Sequence, residues 1–145
     1  MMDAHPTIIS AAALLKRKWP TCRRWTRDQL INFLGFFNEK RQLGVVIDEG
    51  RCVGVGIVRI IKDEKDANDP SVTDNEGHIA WVEIVATTKP TAVHSLFLGM
   101  MRFCKQNAPN VRLVGGRNLR TGAHRLSDFN RYFNLLMNRR ICYGW

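Results

Sequence analysis

Two side chains in this sequence stand where proton transfer would be useful. Glu83 lies midway along the apolar stretch Ile79-Ala80-Trp81-Val82-Glu83-Ile84-Val85-Ala86. A carboxylate in that setting is costly unless it is paired or functional. As a general base it would take a proton from an attacking nucleophile, directly or through water. An ion pair with an arginine, for example one on the neighbouring strand, is the alternative, and the sequence leaves both open. His94 falls at the start of a helix, where it could hold an anion or serve as a base; a partly exposed capping histidine is the plainer reading.

Metal chemistry is not expected. The four cysteines, Cys22, Cys52, Cys104 and Cys142, form no CxxC pair. Cys52 and Cys104 sit among apolar residues and read as buried thiols. His5, His78, His94 and His124 are scattered, with no ligand-like spacing.

The elements that must position these groups follow from periodicity. Ile8 to Lys18 reads as a short helix stopped by Pro20. Thr26-Arg27-Asp28-Gln29 is a capping box that opens a second helix ending near Glu39. Leu43 to Asp48 and Cys52 to Ile61 form a hairpin about Glu49-Gly50. Gly54 and Gly56 mark a bulge or a close backbone approach. Lys62 to Gly77 is a polar loop, without the central glycine and acid spacing of a calcium loop.

His78 to Thr88 is the clearest strand. Strict alternation puts Ile79, Trp81, Glu83 and Val85 on one face and Ala80, Val82, Ile84 and Ala86 on the other. Both faces are mostly apolar, so the strand should be central and covered on both sides. A helix follows, capped by Thr88 or Thr91, with Pro90 in its first turn. It should stop before Pro109. Val111 to Gly115 is a short strand that Gly115-Gly116 breaks. Ser127 caps a last helix carrying Phe129, Tyr132, Phe133, Leu136 and Met137 as an apolar stripe. Ile141 to Trp145 is a candidate final strand.

The strand–helix–strand unit from His78 to Gly115 should be a right-handed parallel crossover. Two helices, then an antiparallel meander feeding a crossover, resemble the GNAT acyltransferase superfamily over about Ile8 to Arg140. The resemblance implies an α/β (α+β) fold: one mixed sheet of five or six strands with helices on both faces, in a single domain over residues 1–145 with 1–6 disordered. It also implies an acyl-CoA such as acetyl-CoA as cofactor and an amine as acceptor. In the family, backbone N–H groups after the central strand and the next helix start hold the pyrophosphate, as orphan amides and the helix dipole favour. The matching positions here are Val85, Ala86, Thr87, Thr88, Lys89, His94 and Ser95. The family's glycine-rich signature is replaced by Lys89-Pro90-Thr91-Ala92-Val93-His94-Ser95. Asn118 and the Phe129-Asn130-Arg131-Tyr132-Phe133 segment are similar to the family's late Asn and Tyr-bearing helix. By that resemblance Tyr132 would protonate the leaving thiolate; as a bare pattern it is one more residue of the apolar stripe.

Composition narrows the partners. The chain has 145 residues, 45% of them apolar, which suffices for a core. No apolar run is long enough to span a membrane and no secretory signal is evident, so the chain reads as cytoplasmic. Its net charge is +9. The Lys62 to Gly77 loop holds six acids against two lysines, leaving 20 bases and 7 acids elsewhere. Such a surplus suits an anionic partner, either a phosphorylated cofactor or nucleic acid. A non-catalytic binding protein on the same scaffold is therefore the alternative to an enzyme. The acidic loop should lie away from either site.

Overall fold

A computed structural model describes residues 5–138. Five strands form one sheet in the order β1-β2-β3-β4-β5: β1 Leu43–Asp48, β2 Arg51–Ile61, β3 Ile79–Thr87, β4 Leu113–Arg117 and β5 His124–Asp128. Only β3 and β4 run parallel. Four helices cover the sheet: α1 Pro6–Lys18, α2 Arg27–Glu39, α3 Pro90–Asn107 and α4 Phe129–Met137. The expected mixed sheet is present, with five strands. Ile141 to Trp145 lies outside the described residues.

The two faces carry separate cores. α3 and α4 pack Leu96, Phe97, Met101 and Leu136 against Val58, Ile60, Ala80 and Val82. α1 and α2 pack Leu14, Leu15, Leu34 and Phe37 against Val55, Ile57, Ile84 and Ala86. Burying each such side chain contributes about 1.5–3 kcal/mol. Val82 and Ile84 thus face opposite sides although they are two residues apart. The reason is a register shift: Ile57 pairs with Ile84 but Val58 pairs with Val82, so Glu83 is the extra residue of a β-bulge. Strict alternation was the wrong expectation for this strand, because the bulge reverses its parity after Glu83.

Local capping explains the helix starts. The Thr26 hydroxyl accepts from Gln29 N at 3.1 Å, and Gln29 Oε1 accepts from Thr26 N at 2.8 Å, the expected capping box. α3 starts differently from expectation. Pro90 takes the first helical position, the cap falls to Lys89, and no side-chain cap bond forms there. α4 is capped by Asp128, one residue later than expected, whose carboxylate accepts from Arg131 N at 2.9 Å. Gly115-Gly116 does not break β4, which runs through both to Arg117. A Cβ at Gly115 would lie 2.1 Å from the Arg125 carbonyl oxygen, so its absence is what admits β5.

Gly54 and Gly56 serve a close approach. A Cβ at Gly54 would meet Leu96 at 3.0 Å, and one at Gly56 would meet Met100 Sδ at 3.1 Å. α3 can therefore lie low across β2, which places its first turn beside the end of β3.

Candidate functional site

β3 and β4 part before β3 ends. Their pairing runs from Ile79 with Leu113 to Val82 with Gly116 and then stops. β3 continues to Thr87, held only by β2 through pairs such as Val55 with Ala86 and Gly54 with Thr87. The parting begins at the Glu83 bulge. Parallel strands carry their C-terminal ends to the same edge, so the Thr87-Thr88-Lys89 turn and Asn118 lie at one end of the sheet. The strands open between them.

At the bulge, Glu83 and Ile84 both border a cavity of about 220 Å³ on the α1/α2 face. Trp19, Trp25, Phe33 and Trp81 supply its aromatic wall, and Arg117 its second charge. Glu83 is also paired. Arg59 on β2 is fully buried and donates to Glu83 Oε2 from Nε at 3.2 Å and from Nη2 at 2.9 Å. The arginine on the neighbouring strand, one of the two readings of Glu83, is therefore present. Both donors fall on Oε2.

Arg59 has a second duty that the sequence reading missed. Its remaining N–H groups donate to the carbonyls of Asp66, Ala67, Asp69 and Val72 at 2.8–3.1 Å. The Lys62 to Gly77 loop is thereby drawn over the sheet. Pro70 lines the Glu83 cavity, Asn68 accepts from Arg117 at 2.7 Å, and Glu64 meets His124 at 3.2 Å. The expectation that this acidic loop lies away from the site is corrected: carbonyl dipoles gathered on one buried guanidinium hold it at the cavity wall. A buried cation needs such partners, and an arginine read in sequence gave no sign of them. Within the loop, hydrogen bonds from the Ser71 hydroxyl and backbone, helped by the Arg59 charge, hold Asp69 below the usual carboxylate range. The Glu76 N–H and Lys62 do the same for Asp74.

The other candidate residues are spread over both faces. Val85 packs against the α3/α4 core and Ala86 against the α1/α2 core. Thr88 N–H is taken by the Val53 carbonyl at 2.8 Å, and the Lys89 side chain pairs with Asp48. His94 is half-buried and Ser95 exposed on the first turns of α3. Asn118 closes the β4–β5 turn, accepting from Arg120 N and Thr121 N at 2.9 and 3.0 Å. Tyr132 is buried in the α3/α4 core, its ring 6.3 Å from Phe97. Glu83 and Tyr132 therefore stand on opposite faces, not in one cavity.

A wider hollow of about 690 Å³ lies beside the start of α3, bounded by Arg17, Arg51 and Lys89 and by Asp48 and Glu49. Its charges are mixed, so the basic surplus does not gather there as a single-signed patch. Cys22, Cys52 and Cys104 are buried, and burial pushes the Cys104 thiol up to about 12. Among the described residues no three His, Cys, Asp or Glu side chains gather as a metal site, and no helix is long and apolar enough to cross a membrane.

The fold is similar to those of solved structures. The chain is similar to the loading GNATL domain of CurA from Lyngbya majuscula, with a TM-score of 0.59 and 16% identity over 79% of this chain. It is also similar to the GphF GNAT-like decarboxylase in complex with isobutyryl-CoA, with a TM-score of 0.53 and 21% identity over 78% of this chain. The fold is GNAT-like. The matches cover 63% and 62% of those two chains, so this chain spans about three fifths of their length. No family model and no curated protein matches the sequence. In this chain the bulge of β3 stands where the sheet opens, and α3 starts beyond the end of that strand.

Proposed function

We propose that this chain binds an acyl-CoA at the opening between β3 and β4 and transfers the acyl group to an amine. The observation that carries the reading is the parting of β3 from β4 at Val82 and Gly116, beside a bulged carboxylate. A thioester lying in the opening would be reached from both faces. The amine attacks the thioester carbonyl and gives its proton to Glu83. The C–S bond breaks, and the departing thiolate takes a proton from Tyr132. One GNAT-like neighbour was solved with isobutyryl-CoA, which supports an acyl-CoA as the cofactor type.

Phosphate binding would differ from a glycine-rich turn. Pro90 has no N–H and Thr88 N–H is occupied, so the pyrophosphate would rest on the amides of Lys89, Thr91 and Val93 at the start of α3. Thr87, Thr88, Lys89, His94 and Ser95 would add side-chain contacts, with Asn118 across the opening. The test is release of free CoA thiol from acetyl-CoA, followed with and without a panel of amines. Amine-dependent release supports the reading; hydrolysis that ignores every amine opposes it.

A non-catalytic binding role is the second reading. The engagement of Lys89 by Asp48, at a turn without glycine, favours it. The partner would be a nucleic acid or a protein meeting the exposed cations Lys16, Arg17, Lys18, Arg23 and Arg24. Binding to single- and double-stranded nucleic acid that falls steeply with salt supports this role. Negligible binding at low salt removes the nucleic acid.

A further inference from the structure

The Glu83 cavity is lined by two opposite charges and by aromatic rings. At one wall Glu83 Oε2 takes both Arg59 donors, which leaves Oε1 without a bond among the described residues. At another wall stands Arg117. Its Nη2 donates to Asn68 Oδ1 at 2.7 Å and its Nε approaches His124 Nε2 at 3.4 Å. His124 in turn meets Trp81 edge-on, with ring centroids 4.8 Å apart. Asn68 is a neutral acceptor, His124 meets Glu64 through its other ring nitrogen, and no acid pairs directly with Arg117 among the described residues. Its guanidinium is thus held in place without a direct carboxylate partner among the described residues, which is how a carboxylate anchor is built. Along the same cavity, Trp19, Trp25, Phe33 and Trp81 offer flat apolar surface. A volume of about 220 Å³ admits a small molecule but not a folded peptide or a polynucleotide.

We propose that this cavity binds a zwitterionic amino acid with an aromatic side chain, its amine toward Glu83, its carboxylate on Arg117 and its ring among the tryptophans. The assignment deepens the acyl-transfer reading and rests on it for the amino acid's role as acceptor. The binding itself does not require acyl-CoA. The ammonium group would sit at the free Glu83 oxygen, lose one proton to solvent before attack, and give the second to Glu83 as the amide forms. A plain arylalkylamine would lose the Arg117 contact, and an arylpropionate would lose Glu83.

All three tryptophans among the described residues line the cavity, so their fluorescence reports occupancy directly. Wild-type protein without CoA is titrated with L-phenylalanine, phenethylamine, 3-phenylpropionate and L-serine. Phenylalanine should bind tightest. The two analogues that lack one charge should each be weaker by roughly 10-fold or more, the cost of one charge-assisted contact. Arg117→Gln should weaken phenylalanine by a similar factor and leave phenethylamine unchanged, with its melting curve showing that it folds. Equal binding of phenylalanine and phenethylamine, or no loss in Arg117→Gln, would overturn the assignment. So would saturation by serine alone. Failure here with intact acyl-CoA binding removes only the acceptor class. Success here without acyl-CoA binding keeps the amino-acid site and removes the transferase.

Discussion

Arg59, fully buried, and Glu83, partly buried, form an ion pair across β2 and β3 in which Nε and Nη2 of the arginine share one carboxylate oxygen, at 3.2 and 2.9 Å. The same guanidinium binds four carbonyls of the Lys62 to Gly77 loop. One side chain therefore fixes both the candidate base and the loop that walls its cavity.

Replacing Arg59 with Met should cost about 3–5 kcal/mol, because it strands a partly buried carboxylate together with four loop carbonyls. Chemical denaturation measures it. Hydrogen exchange should quicken across Lys62 to Gly77 more than in β1. A loss below about 1 kcal/mol, the range of a surface pair, would show that the pair is not holding the loop.

Glu83→Gln and Tyr132→Phe should each lower kcat by about 100- to 10,000-fold if the acyl-transfer account is right. Both substitutions keep shape and volume, so circular dichroism should report a folded protein, with a lower melting point in Glu83→Gln because the buried Arg59 loses its counter-charge. Full activity in both variants would remove the two assignments and leave the fold untouched.

Much of the scaffold was legible in the sequence because its signals are local. The Thr26–Gln29 capping box, the hairpin about Gly50 and the parallel crossover all follow from neighbours in the chain. β5 was missed because His124-Arg125-Leu126-Ser127-Asp128 is a largely polar strand at the sheet edge, without the Val and Ile of a buried one. The bulge was missed because a glutamate in an alternating strand looks regular until the partner's register is known. Arg59 looked like one more contributor to net charge; its role depends on carbonyls up to 13 residues away that only the folded loop brings together. Glu83 was found because a charge in an apolar run is visible by itself.

Gly115→Ala should destabilise the protein by about 1–3 kcal/mol, since the added Cβ meets backbone and not a movable side chain. The strain should appear in β4 and β5, as altered amide shifts near Arg125. Gly99→Ala, with nothing within 4 Å of the new methyl, serves as the control. It should be neutral or stabilising, because alanine suits a helix better. Equal effects of the two substitutions would contradict the close packing of β5.

Cys104 makes stability depend on alkaline pH. Burial raises its thiol from 9.0 to about 12 in the folded state. The folded protein therefore keeps a proton that the unfolded chain gives up. The resulting stability is present in full below about pH 9 and is lost as pH rises toward 12. Denaturation midpoints should fall over that window more steeply in the wild type than in Cys104→Ala. Native Cys104 should also resist alkylation at neutral pH, since the thiolate is the reactive form. Rapid labelling of native protein would oppose the assignment.

Calorimetry of acetyl-CoA binding at low salt, read together with hydrogen exchange, tests the central claim most directly. The account predicts measurable heat and slowed exchange of the backbone amides between Ala86 and Ser95, where β3 leaves β4 and α3 begins. No heat and unchanged exchange in that segment, from protein shown by its melting to be folded, would contradict it.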